Sequence, residues 1–321
     1  MRKTFIVYFG IHSLFLGQCL LGSQLCDKYS PAKISGVVES DSMGKDQWGE
    51  ERRGFKETSG ITGSVKNEGV FWVHDDGDNP YVEVINRLGQ RLGRFKIVDT
   101  KLQDIEDISR TFIDGQDLLL LADTGNNTGS RKELKLMLFK EPEVDDEQGY
   151  SDYDRQRPLR TINYRYPGGH GYDSEAVSVG PNGVVYLIRK DGRSGHHDLY
   201  RLPQPIDETD DQEVATVRFL CRFDSIDKKY LVTGAEIHPT GDRMVVRGYN
   251  SRNSFHDSFL YEYRANGLSI DEICDGKKEE LRPAGERQGE AVTYDPLTGA
   301  VLHISEGWSP KLHILECGDR I

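Results

Sequence analysis

"DSEAVSVGPNGVVYLIRKDG", residues 173–192, decides how the chain is read. Two apolar runs flank Pro181-Asn182-Gly183, residues that supply the backbone angles of a tight turn, so the stretch predicts a hairpin of two strands. Its first strand opens with Glu175 and its second closes with Arg189 and Lys190. In an antiparallel pair those two ends coincide, so acid and base share one edge of the hairpin.

The pattern recurs along the chain. "TSGITGSVKNEGVFWVHDDG" begins at Thr58, "IEDISRTFIDGQDLLLLADTG" at Ile105, "TGAEIHPTGDRMVVRGYN" at Thr233 and "QGEAVTYDPLTGAVLHISEG" at Gln288. Each has a polar or acidic start, a short strand, a Gly-containing turn and an apolar second strand ending in charge. Third strands such as "YVEVIN" and "LKLMLFK" follow, then fourths such as "RLGRFKIV" and "LRTINYRY". Four antiparallel strands repeated five times predict an all-β protein, a five-bladed β-propeller, because radial repetition leaves only short, protected edges. A pair of β-sandwiches is the alternative. The last repeat runs out after "KLHILECGDRI", so "AKISGVVES", residues 32–40, is expected to supply its fourth strand and close the ring. That join would bring Cys26 near Cys317.

The organisation expected is a signal peptide over 1–25, an N-terminal segment with the closing strand over 26–56, the propeller over 57–317 and a tail over 318–321. "MRKTFIVYFGIHSLFLGQCLLGSQLC" places two cations before an apolar stretch and small residues, as a secretory leader does. The chain is expected to be secreted or periplasmic, with a lipid-modified Cys19 or Cys26 as a variant, and without an integral membrane span once the leader is removed. Cys26, Cys221, Cys274 and Cys317 then remain, an even number that permits disulfides without choosing among them. With 41 Lys+Arg against 53 Asp+Glu and a net charge of -12, phosphate-backbone tracking has no electrostatic support, so nucleic acid is excluded as a partner.

In a propeller the first strand of each blade lines the channel. Aligning the repeats therefore gathers Ser59, Glu106, Glu175, Glu236 and Glu290 at one mouth, with His74, Asp75, Asp123, Arg189, Lys190, Arg247 and Tyr249 in the loops around them. Two carboxylates about 5 Å apart repel by roughly 3 kcal/mol at an effective dielectric near 20. A ring of them needs protons, basic partners or a cation. Oxygen ligands without cysteine suit calcium better than zinc or copper. The expectation is a calcium ion held by Ser59, Glu106, Glu175, Glu236 and Glu290, and an anionic small molecule or surface ligand beside it. Arg189, Lys190 and Arg247 would grip that ligand, with Tyr249, His74 and Trp308 at its border. In a phosphoester or phosphoanhydride hydrolase, Asp75 or Asp123 would orient the attacking water. The other reading is a non-catalytic binding propeller whose acids are structural.

"GVFWVHDDGDNPYVEVIN", "LLLLADTGNNTGSRKELKLMLFKEPE", "DSEAVSVGPNGVVYLIRK" and "GEAVTYDPLTGAVLHISEG" resemble a family of secreted bacterial β-propellers labelled esterase-like or phytase-like. The chain also resembles the calcium-activated nucleotidases, or apyrases, five-bladed propellers with calcium in the channel held by Ser or Glu at the starts of successive blades. That likeness implies ligand roles for Ser59, Glu106, Glu175 and Glu290; the fourth blade departs, offering Ala235 and Glu236 where that family has serine.

Overall fold

The computed structural model describes residues 26, 28–38, 44–52, 54–145, 149–190, 194–250, 252, 257–282, 288–307 and 310–318. The leader, Trp308 and the end of the tail lie outside them.

The chain is an all-β, five-bladed propeller. Blade 1 comprises Thr58–Gly63, Val70–Asp75, Tyr81–Asn86 and Arg91–Lys96; blade 2, Ile105–Ile113, Gln116–Asp123, Leu134–Lys140 and Arg160–Arg165. Blade 3 comprises Asp173–Val179, Val185–Lys190, Asp198–Arg201 and Arg218–Arg222; blade 4, Tyr230–Ile237, Arg243–Asn250, Ser258–Arg264 and Lys277–Leu281. Blade 5 is built from Gly289–Tyr294, Val301–Ser305 and Lys311–Leu315, with Lys33–Val37 from the N-terminal side pairing antiparallel to the last of these.

The first two strands of each blade are covered by neighbouring blades on both faces, which is why second-strand runs such as Leu118–Ala122 are continuously apolar where a one-sided sheet would alternate. The core is accordingly five separate clusters, one between each adjacent pair of blades. Turns keep the hairpins in register: Gly183, at φ 76°, adopts the left-handed conformation that its turn requires.

Each seam between blades also carries a fastener of its own. Ser151–Asp152, in the long connection between the third and fourth strands of blade 2, pairs parallel with the outer strand of blade 1; Ala215–Thr216, in the corresponding connection of blade 3, does the same to blade 2. A Cys221–Cys274 disulfide joins blade 3 to blade 4. Cys26 is bonded to Cys317 of blade 5, while its carbonyl accepts hydrogen bonds from Arg243 (3.1 Å) and Arg264 (2.7 Å) of blade 4. Between blades 5 and 1, Arg87 pairs with Asp295 and Glu316. Disulfides of this kind persist in oxidising compartments. Among the described residues no helix is long and apolar enough to cross a membrane.

Candidate functional site

The inner strand of every blade carries one β-bulge, a single extra residue that interrupts pairing with the second strand. The interruptions fall between Thr58 and Gly60, Ile105 and Asp107, Ser174 and Ala176, Val232 and Gly234, and Gly289 and Ala291. The residues so displaced are Ser59, Glu106, Glu175, Thr233 and Glu290, all buried. A bulge re-aims its side chain. Repeated five times at the same level, it assembles a ring of two hydroxyls and three carboxyls. The hydroxyls also brace adjacent blades: Ser59 Oγ donates to the Glu106 carbonyl at 2.7 Å and Thr233 Oγ1 to the Gly289 carbonyl at 2.6 Å.

The bulge alignment corrects one expected ring member. Glu236 lies three residues past the bulge of blade 4, deeper in the channel, and accepts hydrogen bonds from Ser109 Oγ (3.4 and 3.3 Å). Thr233 holds the blade 4 position.

Acids from the flanking turns complete the mouth. Asp76, Asp104 and Glu106 present oxygens within 4.8 Å of one another, as do Glu106, Asp173 and Glu175, so Glu106 belongs to both groups. Burial, then mutual repulsion, pushes the carboxyl of Glu106 well above its ordinary range, and burial does the same to Glu290 beside Glu175 and Glu306. Burial lifts Glu175 to about 8 although the Lys190 ammonium, bonded to Glu175 Oε1, pulls the other way. Asp76 is raised to about 6 by burial and by Asp104. Burial alone would lower Lys190, but Glu175 and Glu290 outweigh it and hold the ammonium above its usual value. Gly125 makes room for this cluster: a Cβ there would collide with the carboxylates of Glu106 and Asp104.

The second strands explain where the remaining expected residues fall. Asp76, Lys190, Tyr249 and Glu306 follow the strand position facing the bulge and lie within electrostatic reach of the ring. Asp75, Asp123 and Arg189 come one residue earlier and turn away. Asp123 accepts from Arg131 at 2.7 Å, Lys135 at 3.2 Å and the N–H groups of Gln103 and Asp104, which makes it a clamp on its own blade and a poor water-orienting base. Arg189 pairs with Asp198 at 3.3 Å and lies 4.0 Å over the Tyr172 ring. Asp75 accepts the Lys56 N–H at 3.3 Å, and burial raises its carboxyl to about 7. His74 is fully buried behind Gly60, kept neutral by burial with a value near 4, its Nδ1 3.0 Å from the Asp75 carbonyl. Arg247 is likewise buried, packed against Gly289 within reach of Glu290.

Two recesses flank the mouth. One, of about 670 Å³, lies over blades 2 and 3 and is lined by Asn126, Asn127, His170, Tyr172, Arg189 and Lys190 among others. The other, of about 690 Å³ over blade 1, is acidic, with Glu57, Asp75, Asp76 and Asp78 facing Lys56. Sequence reading missed Thr233, Asp104 and Asp173. The signal for the last two was present: Asp104-x-Glu106 and Asp173-x-Glu175 repeat one spacing, and residues two apart share a strand face.

No family model matches the sequence, and no curated protein matches it. Among solved structures, the chain is similar to the Dos1 propeller at 16% identity, covering 88% of this chain and 62% of that one, with a TM-score of 0.37. It is similar to the Cps50 (Swd1) β-propeller domain of Myceliophteria thermophila at 10% identity, covering 90% and 100%, with a TM-score of 0.45. A PQQ-bound aldose sugar dehydrogenase from Streptomyces coelicolor gives 10% identity, 90% and 98% coverage, and a TM-score of 0.43. The chain thus spans about three fifths of the Dos1 chain. These likenesses carry no activity, and neither the esterase-like family nor the apyrases is among them.

Proposed function

We propose that the channel mouth binds a divalent cation, calcium, and that an anionic small molecule is held next to it in the recess over blades 2 and 3. The observation that carries this is the sharing of Glu106 between two oxygen triads, on a bulge repeated in all five blades. The donor set fits calcium, a hard ion that takes six to eight oxygens. Glu106, Asp104, Asp76, Asp173 and Glu175 are the first candidates to hold it, with Glu290 and the Ser59 and Thr233 hydroxyls below or beside them. A dication would also relieve the desolvation and repulsion that otherwise keep these acids protonated.

A bound calcium would polarise a phosphoryl or other oxyanion. This chain's own part is to hold that group: Lys190 lies between the carboxyl ring and the recess, and Arg189, fixed by Asp198 and Tyr172, presents a rigid guanidinium on the recess wall. Asp76 would orient water if the ion is held by the other triad, Glu106, Asp173 and Glu175. The protein is read as acting outside the cytoplasm, where calcium is abundant.

The test is calcium titration by calorimetry on wild type and Glu106→Gln, followed by a screen of phosphoesters and phosphoanhydrides. Calcium binding lost in Glu106→Gln, with turnover of any of these substrates, supports the hydrolase. Binding without turnover leaves a ligand-recognising propeller, for which the Lys190–Glu175 pair already provides partial neutralisation. No heat of binding and an unchanged melting temperature with calcium or chelator would defeat the cation reading.

A further inference from the structure

The opposite end of the channel has a different chemistry, and we infer that it is a binding site for a small apolar carboxylate, anchored by Arg110. Four blades bring an apolar residue to this end in or beside their inner hairpin turns: Val65, Phe112, Pro239 and Pro296. Together with Arg110, Thr111, Asp117 and Glu141 they line a cavity of about 360 Å³, at the small end of the range for ligand pockets. A second recess of about 190 Å³ continues from it past Arg110 to Glu236 and His238. Blade 2 is the asymmetric element. Its inner strand, Ile105–Ile113, is nine residues long, the longest of the five inner strands, so its end carries Phe112 out to 67% exposure.

Arg110 stands between the two recesses, and among the described residues it makes no hydrogen bond and no ion pair. Burial pulls it below the usual guanidinium range although Glu236, Glu141 and Asp117 are within electrostatic reach. Two of these acids are engaged elsewhere: Glu141 accepts from Ser64 Oγ, from Asn67 Nδ2 at 3.0 Å and from the Trp72 indole at 2.8 Å, and Glu236 accepts from Ser109. A guanidinium has five donors in a planar fork that matches a carboxylate. Half-buried and without such a partner among the described residues, Arg110 keeps that fork available to a ligand at the cavity wall. An apolar tail against Phe112, Pro239 and Pro296 with its carboxylate on Arg110 satisfies both halves of the cavity at once. The site is independent of the cation reading, lying at the other end of the channel.

The probe is hexanoate, with hexanol and hexylamine as controls, titrated by calorimetry into the full chain with and without chelator. Hexanoate is expected to bind at least tenfold more tightly than either control, with no effect of chelator. Arg110→Gln is expected to lose at least tenfold in affinity and Arg110→Lys less. Phe112→Ser, on an exposed side chain that the fold does not need, is expected to lose several-fold. No hexanoate binding by wild type, equal binding of hexanol, or unchanged affinity in a folded Phe112→Ser would each overturn the inference.

Discussion

Replacing Cys26 and Cys317 together by serine tests the closure of the ring. The bond joins residues 291 apart. In the chain-entropy account a cross-link removes freedom from the unfolded ensemble in proportion to the logarithm of the loop it closes, which for this separation amounts to about 6 kcal/mol at 25 °C. The Cys221–Cys274 bond, across 53 residues, gives about 4 kcal/mol by the same relation. Measured losses usually fall short of such ceilings, so the order of the two is the firmer expectation. The first pair has a second reason to cost more, because Cys26 also positions the carbonyl that receives Arg243 and Arg264. Guanidinium chloride unfolding of the Cys26→Ser/Cys317→Ser and Cys221→Ser/Cys274→Ser variants, with wild type as reference, compares them directly. A smaller loss for the terminal pair than for the internal pair would refute the reasoning and show that the N-terminal strand holds without its staple.

Other expectations follow from single contacts. Thr233→Val removes the donor to the Gly289 carbonyl and should cost about 1–3 kcal/mol in denaturant unfolding; it should weaken calcium binding, whereas Glu236→Gln should leave that binding intact, and the reverse pattern would show the bulge alignment to be mistaken. Burial raises Glu236 to about 8, with Arg110 and Ser109 opposing. The folded state therefore retains a proton that the unfolded chain has released, so stability is greatest below the ordinary carboxyl range and declines as pH rises towards about 8. Melting curves of Glu236→Gln should be flatter over that window than those of wild type; equal slopes would contradict the burial argument. Trp72→Phe strips Glu141 of its indole donor and should lower unfolding stability by about 1–3 kcal/mol.

The hairpin repeat was legible because strands buried on both faces must be apolar throughout, and five apolar pairs separated by glycine turns leave few architectures. The ring of the site was half legible. Ser59, Glu106, Glu175 and Glu290 could be found as polar residues opening apolar strands, but a bulge adds one residue without any compositional mark, and every slip of one reverses the face a side chain takes. That is why the sequence alone does not separate Asp75, Asp123 and Arg189 from Lys190, and why in blade 4 the carboxylate of Glu236 stands out over the Thr233 hydroxyl. The returning strands Ser151–Asp152 and Ala215–Thr216 were invisible, since two residues are too few to show a period.

Because the five joints are secured by four kinds of device, a returning strand at two of them and a different contact at each of the other three, the repeats are not interchangeable parts. A duplicated or transplanted blade would arrive with a complementary edge for neither neighbour, however well its own strands paired. The number of blades is thus written into the junctions more firmly than into the blades. An ancestor built from identical units could have closed with another count; this sequence has committed to one.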